Sequence, residues 1–201
     1  MNSLKKDYIK LYQLQDKFLG WWVTLNLPFY LTGGTALRRF YLNHRYSEDL
    51  DFFVNFEPNY HKYISTIRKQ VASRFSVNIE TALFSDDFTR LIIMDNEVLL
   101  KVDFVNDIEY RSGNVKECKY GKIDTPLNIM SNKLTALIGR NEAKDVFDIV
   151  TIALNYNFNW IQVFQEAKAK TNINEIDVEE RLSSFPVEWL KNVDWLPSTL
   201  D

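Results

Sequence analysis

Two carboxylates two residues apart, Asp49 and Asp51, are the residues of this sequence best suited to chemistry. Their neighbours Leu50 and Phe52 are apolar, and this alternation predicts a β-strand with one face in a core. Side chains at positions i and i+2 of a strand leave the same face, with Cα atoms roughly 6.5–7 Å apart. Two carboxylates placed in this way offer the oxygen ligands that divalent magnesium prefers.

A pair of glycines precedes the acids. Gly33 and Gly34 follow the apolar residues 29–31 and open a helical pattern at Thr35. Glycine tolerates positive φ and lets a ligand approach the main chain closely. The N-terminus of the helix would supply free N–H groups and the positive end of the helix dipole, which favour phosphate. A phosphate-binding turn beside two carboxylates is typical of a site for magnesium and a nucleoside triphosphate.

A third carboxylate, Asp103, lies in a strand-like run at residues 98–105. Val102 and Phe104 flank it, so Asp103 faces away from the core residues of this run. Because an unpaired carboxylate among apolar groups is costly, Asp103 is expected to have a partner. Two partners fit the sequence: a metal ion shared with the first two acids, or a basic side chain such as Arg90.

Motifs at both ends of the site resemble those of one known family. Gly-Gly-Thr-Ala-Leu at 33–37 and His-Arg-Tyr-Ser-Glu-Asp-Leu-Asp-Phe-Phe at 44–53 resemble the core signature of the AbiEii/AbiGii toxin family. That family belongs to the DNA polymerase β-like nucleotidyltransferases. The pattern Lys-Leu-x-Ala-Leu-x-x-Arg-x-x-x-Lys-Asp-x-x-Asp at 133–148 resembles the family's C-terminal conserved element. The two motifs occur in the order that the family shows.

The resemblance implies an enzyme that moves a nucleoside monophosphate from an NTP to an acceptor hydroxyl, with two Mg²⁺ or Mn²⁺ ions as cofactors. The three acids would ligate the metal, and Asp103 would also help to deprotonate the acceptor. The resemblance also implies further site residues. Gly33, Gly34, Thr35, Arg45 and Ser47 would contact the nucleotide. Lys133 would contact the triphosphate or the acceptor, and Arg140, Lys144 and Asp145 would complete the site. Without the resemblance, Ser47 could simply fix a loop, and residues 140–148 would be read as an exposed helix with charge pairs.

The resemblance further implies a toxin that adds nucleotides to RNA, with a tRNA 3′ end as the acceptor. An antitoxin encoded by an adjacent gene, acting without a stable complex, is implied as well. The residues alone leave other readings open: transfer to a protein hydroxyl or a small molecule, or a nucleotide-binding regulator without catalysis. The complete set of three acids counts against the regulator, which has no need for all of them.

Bulk composition fits a soluble globular protein, with 46% hydrophobic and 25% charged residues among 201. The net charge of −3 offers no overall attraction for nucleic acid. Residues 17–47 nevertheless contain basic and no acidic side chains, a local positive zone suited to a polyphosphate.

The single Cys118 excludes an intrachain disulfide and fits a reducing cytoplasm. No signal peptide is apparent, and polar residues interrupt the uncharged run 18–37, so no membrane span is expected.

The elements that must position these groups form a mixed, α+β pattern. Helical periodicity predicts a packing helix at 4–22 with Ser3 as its N-cap. Further helices are predicted at 35–42 and 60–75, and strands at 48–54, 76–84, 88–94 and 98–105. Short polar links between the last three strands are typical of an antiparallel meander. Together with the resemblance, this pattern predicts a polymerase β-like nucleotidyltransferase sheet with flanking helices.

Helical character dominates after Pro126. A helical stretch at 127–155 is interrupted near Gly139 and Asn141, and shorter helices are predicted at 160–169, 177–184 and 186–193. Residues 111–125 are expected to form an extended loop or a short hairpin. The sequence therefore predicts a catalytic domain at 1–125 and a C-terminal helical bundle at 126–201 that completes the active site.

Overall fold

The computed structural model describes residues 7–196, which form one mixed sheet and a set of helices. The helices are α1 (Tyr8–Trp22), α2 (Gly33–Phe40), α3 (Tyr60–Val71), α4 (Pro126–Gly139), α5 (Ala143–Asn155), α6 (Trp160–Lys168) and α7 (Glu175–Ser183), with 3-10 turns at Val23–Leu25 and Val187–Asn192. The strands are β1 (Tyr30–Thr32), β2 (Leu50–Asn55), β3 (Ser76–Val77), β4 (Leu83–Phe84), β5 (Phe88–Asp95), β6 (Val98–Asp107), β7 (Lys116–Cys118) and β8 (Gly121–Ile123).

The helix ends largely follow local sequence signals. The proposed cap at Ser3 lies outside the described residues, and α1 is capped by the side chain of Asp7, which accepts a hydrogen bond from the backbone N–H of Lys10. Thr125 caps α4 in the same way, with Pro126 in its first turn. The predicted interruption is confirmed, because α4 ends at Gly139 and α5 begins at Ala143. No helix within the described range is long and apolar enough to cross a membrane.

The sheet runs in the order β3-β5-β6-β2-β1-β8-β7, with β4 also paired to β5. The antiparallel pairing of β5 with β6 agrees with the predicted meander. The long strand expected at 76–84 is wrong in its extent, since only β3 and β4 form there. Between them, the side chain of Asn78 accepts hydrogen bonds from the backbone N–H groups of Glu80 and Thr81, which turns the chain out of the sheet.

Strands β2 and β6 run parallel and side by side. Their buried face carries Phe52 and Phe104, whose ring centroids lie 5.6 Å apart. Trp22 of α1 packs on both rings, at 4.3 Å from Phe52 and 5.5 Å from Phe104. Because side chains alternate along a strand, this aromatic core directs the neighbouring residues Asp51 and Asp103 to the opposite face.

The chain divides into two compact units. Within the described range, the sheet unit contains residues 7–35, Glu48–Asp107 and Lys116–Ile123. The helical unit contains Ala36–Ser47, Ile108–Val115 and residues 124–196. Each unit therefore draws on separate segments of the sequence.

Two segments that precede residue 124, Ala36–Ser47 and Ile108–Val115, lie with the helices. The domains 1–125 and 126–201 stay a prediction. Side-chain contacts hold these two segments to the helical unit. The hydroxyl of Tyr41 donates to the backbone carbonyl of Asp124, and the guanidinium of Arg111 pairs with the Asp124 carboxylate. Such long-range pairs leave no local signature in the sequence.

Candidate active site

The turn between β1 and α2 is shaped around Asp51. Gly33 has a φ of 69°, and a Cβ built there would lie 2.6 Å from Oδ2 of Asp51. Both the backbone conformation and the available space therefore require glycine at this position. Thr32, the residue before the turn, is opposite Asp51 in the pairing of β1 with β2. The turn thus holds one carboxylate directly beside the start of a helix.

Side-chain hydrogen bonds hold the main chain at Asp49 and at the residue before it. The buried hydroxyl of Thr35 donates a short hydrogen bond to the backbone carbonyl of Asp49. The side-chain amide of Gln15 donates to the carbonyl of Glu48 at 2.9 Å. Thr35 therefore fixes the position of Asp49. That Gly33, Gly34 and Thr35 also hold phosphate stays a prediction.

The acids come from two neighbouring strands. Asp51 and Asp103 are paired residues in the parallel register of β2 and β6, so their strands lie about 4.7–4.9 Å apart at this point. Asp49 immediately precedes β2 and contacts Lys101, which is two residues before Asp103 on β6. The three carboxylates predicted as a set therefore share one face of the sheet.

Two basic side chains occupy the same face. Arg90 is opposite Asp103 in the pairing of β5 with β6, and its Nε and Nη2 each lie 2.7 Å from a carboxylate oxygen of Asp103. Lys101 Nζ is 2.6 Å from Oδ2 of Asp49. The hydrogen bond to Asp103, with smaller contributions from the charges of Asp49 and Asp51, raises the pKa of Arg90. Of the two partners considered for Asp103, the structure contains the basic one.

The donor set suits a divalent metal, although the side chains are turned elsewhere. Within residues 7–196, no three His, Cys, Asp or Glu side chains are arranged to hold an ion. Asp49, Asp51 and Asp103 nevertheless supply the oxygen ligands that Mg²⁺ and Mn²⁺ prefer, from adjacent backbone positions. Asp49 and Asp103 would have to leave Lys101 and Arg90 to reach a shared ion. Metal binding by these acids stays a prediction.

The helical unit contains a buried cluster of charges centred on Asp148. Nε and Nη2 of Arg45 lie 2.6 and 2.7 Å from its two carboxylate oxygens. Lys133 Nζ is 2.8 Å from Oδ2, and His44 Nε2 is 2.8 Å from Oδ1. Burial opposes the charge of this carboxylate. The charge of Lys133 and the hydrogen bonds from Arg45 and His44 outweigh burial and hold the pKa of Asp148 far below its usual range.

A second buried acid extends the cluster. Asp145 lies 2.6 Å from Lys133 Nζ through Oδ1 and 2.7 Å from Arg140 Nε through Oδ2. Burial opposes its ionisation, but the charge of Lys133 and the hydrogen bonds from Arg140 and Lys133 lower the pKa of Asp145. Burial likewise works against the charge of Lys133, and the two acids overcome it and raise the pKa of the Lys133 amine. Lys133, Asp145 and Asp148 therefore all carry their charges at neutral pH.

The structure thus brings together four of the predicted site residues, Arg45, Lys133, Arg140 and Asp145. Ser47 is buried nearby in the sequence, and Lys144 is exposed in the first turn of α5. Each guanidinium nitrogen of Arg45 donates to a protein acceptor, the third being the carbonyl of Tyr46 at 2.8 Å. Contacts from these residues to phosphate stay predictions.

Two members of this cluster, His44 and Asp148, are not among the predicted site residues. Asp148 ends the C-terminal motif and His44 begins the second part of the core motif. His44 also stacks on Phe147, with ring centroids 5.9 Å apart. The sequence feature that indicates Asp148 is its position in an apolar helical pattern, beside Ile149. A carboxylate buried in such a pattern requires a cationic partner.

Solved structures share this fold. JHP933 from Helicobacter pylori aligns with a TM-score of 0.68 at 22% identity, over 99% of this chain and 87% of its own. A putative nucleotidyltransferase from H. pylori aligns at 0.61 and 18% identity, over 94% and 99%. MenT4, a nucleotidyltransferase toxin from Mycobacterium tuberculosis, aligns at 0.57 and 18% identity, over 80% and 63%. The fold is therefore that of nucleotidyltransferase toxins, as the sequence predicted.

The family follows from the sequence itself. The family model described as nucleotidyl transferase AbiEii toxin, Type IV TA system, matches residues 20–193. This match spans most of the chain, and the protein belongs to that family of nucleotidyltransferases. The resemblance found in the two motifs is thereby confirmed. No curated protein sequence matches the chain significantly.

Proposed function

We propose that the protein is a metal-dependent enzyme that transfers a nucleoside monophosphate from an NTP to the 3′ hydroxyl of an RNA, with tRNA as the acceptor. The observation that carries the proposal is the parallel register that makes Asp51 and Asp103 neighbours. Asp49 and the Gly33 turn lie beside this pair. A carboxylate set next to a helix N-terminus suits the binding of a metal–triphosphate complex.

In the reaction, the acceptor oxygen forms a bond to the α-phosphorus while the bond from that phosphorus to the oxygen bridging to the β-phosphate breaks. Pyrophosphate leaves, and Asp103 takes the proton of the acceptor hydroxyl. When bound to Asp49, Asp51 and Asp103, Mg²⁺ or Mn²⁺ would neutralise phosphate charge and make the hydroxyl more acidic. Thr35 keeps the chain at Asp49 in place, and the N–H groups at Gly33 and Gly34 bind phosphate.

The residues of the helical unit enter this proposal through the family motifs. Lys133 and Arg45 would supply positive charge to the triphosphate, and such fixed charge is a large part of catalysis in phosphoryl transfer. Arg140, Lys144 and Asp145 would support them. The buried acids that now hold Lys133 and Arg45 keep both side chains charged and in defined positions.

The acceptor and the partners are the finer part of the proposal. Membership of a Type IV toxin family supports a toxic transferase in the cytoplasm, where NTPs and tRNA are available, and an antitoxin from a neighbouring gene that forms no stable complex with it. Transfer to a protein or a small molecule, and a regulator that only binds nucleotide, are the alternatives.

The test combines the purified protein with Mg²⁺, each α-labelled NTP in turn, and total tRNA. We expect label on RNA with the native chain and none with Asp51→Asn, because the variant loses one ligand charge without changing the size of the side chain. Asp86→Asn, the same change at an exposed turn residue, is the matched control and should retain activity. Label on protein would replace the RNA acceptor, and full activity of a folded Asp51→Asn protein would refute the site.

A further inference from the structure

The two bases on the carboxylate face have no role in the proposed chemistry, although they contact two of its three acids. Arg90 engages both oxygens of Asp103, and Lys101 engages Oδ2 of Asp49. In their present positions these contacts occupy oxygens that a metal ion would use. The bases and a divalent ion therefore compete for the same ligands.

The acids need such partners when no metal is bound. Like charges on adjacent strand positions repel one another, and Asp51 and Asp103 are directly paired. The side chain of Asp103 is only 8% exposed, so water screens its charge poorly. The bidentate geometry of Arg90 also fixes the orientation of the Asp103 carboxylate.

Both bases are placed so that they can leave. The side chains of Arg90 and Lys101 are each 31% exposed, and both are long enough to extend into solvent. Their strands are held by the pairing of β5 with β6, so only side-chain torsions need to change. Such an exchange would require no change in the pairing of the strands that carry the acids and Arg90.

We propose that Arg90 and Lys101 are built-in counter-ions that hold the metal-binding carboxylates in the metal-free protein and are displaced when a divalent cation binds. This inference rests on the proposed function, since it takes the three acids as metal ligands. Arg90 and Lys101 then have two effects that an ordinary surface ion pair would not have. The two side chains stabilise the metal-free fold, and they lower the affinity of the carboxylates for the metal.

The experiment makes two measurements. Mn²⁺ binding in the absence of nucleotide is followed by calorimetry and by the loss of the EPR signal of the free ion. Thermal unfolding is recorded in the presence of EDTA and in the presence of Mn²⁺. The variants are Arg90→Met and Lys101→Met, which keep the aliphatic stem and remove the charge, with Lys101→Arg as the charge-preserving control. We expect Arg90→Met to bind Mn²⁺ roughly tenfold more tightly, because the ion no longer competes with a charged hydrogen-bonded partner. Its Tm should fall in EDTA and recover with Mn²⁺ by a larger increment than in the native chain.

Two results would overturn the inference, and they differ in what else they affect. If the native protein binds Mn²⁺ through Asp51 and both Met variants bind it equally or more weakly, Arg90 and Lys101 do not compete with the ion and the proposed function stands. If Mn²⁺ binds neither the native chain nor any variant, or binds Asp51→Asn unchanged, the metal site itself is refuted. Lys101→Met provides a second measurement should Arg90→Met fail to fold.

Discussion

Replacing Asp148 by asparagine should strongly destabilise the helical unit. The substitution keeps the size of the side chain but removes the charge that faces Arg45, Lys133 and His44 in a fully buried place. Lys133 keeps a charged partner in Asp145, whereas Arg45 loses its charged partner, and one of the two oxygens it contacts becomes an amide nitrogen that cannot accept its hydrogen bond. Removing one partner of a buried ion pair costs about 3–5 kcal/mol, and we expect a loss in that range.

Urea unfolding followed by circular dichroism measures this loss, with Asp86→Asn as the exposed control, for which we expect a change within about 0.5 kcal/mol. A cycle with Arg45→Gln and the double variant tests the cause. If the Arg45–Asp148 contact is the source of the loss, the double variant will be clearly more stable than the sum of the single effects implies. A loss below about 1 kcal/mol for Asp148→Asn, or strictly additive effects, would refute the importance given to this cluster.

Two further predictions concern pH and the glycine turn. The pKa values of Asp145 and Asp148 are lowered below the ordinary 3.8, so the stability that their charges contribute is complete above pH 3.8 and is lost as the pH falls below it. The pKa of Lys133 is raised above the ordinary 10.5, so the stability that its charge contributes is complete below pH 10.5 and is lost at higher pH. Unfolding free energies measured from pH 3 to 11 should therefore show acid and alkaline losses that Asp148→Asn reduces; identical pH profiles for the two proteins would contradict this. Gly33→Ala should abolish transfer and cost about 1–3 kcal/mol, because the positive φ is strained and the new Cβ would meet Asp51 at 2.6 Å. Transfer assays and unfolding curves check it, and a fully active Gly33→Ala protein would show that the turn does not position Asp51.

The sequence was informative wherever the cause is local. Alternation around Asp51 predicted the strand and its carboxylate face, and the glycine at position 33 predicted the positive φ that the turn adopts. The break between α4 and α5 followed from Gly139, which ends one helix. These features depend on a few neighbouring residues, so their physical causes can be read directly from the order of the chain.

The bounds of weakly patterned segments were less predictable. Residues 76–84 have the composition of one strand, but the Asn78 side chain bonds to the following backbone and splits the run. The helix expected to end at Phe75 stops at Val71 for a similar local reason, a turn closed by the hydroxyl and N–H of Ser73 on the carbonyl of Gln70. Small competing hydrogen bonds of this kind decide element ends.

By itself the sequence determined the chemistry available to this protein: its family, the three acids, the glycine turn and the basic residues of the second motif. Only the tertiary structure decided which of these groups meet. The parallel pairing of β2 with β6 makes Asp51 and Asp103 neighbours, the antiparallel pairing of β5 with β6 places Arg90 on the Asp103 carboxylate, and Asp148 becomes the centre of a buried cluster. These contacts join residues far apart in the chain, and their free energy depends on burial and charge that exist only once the chain has folded.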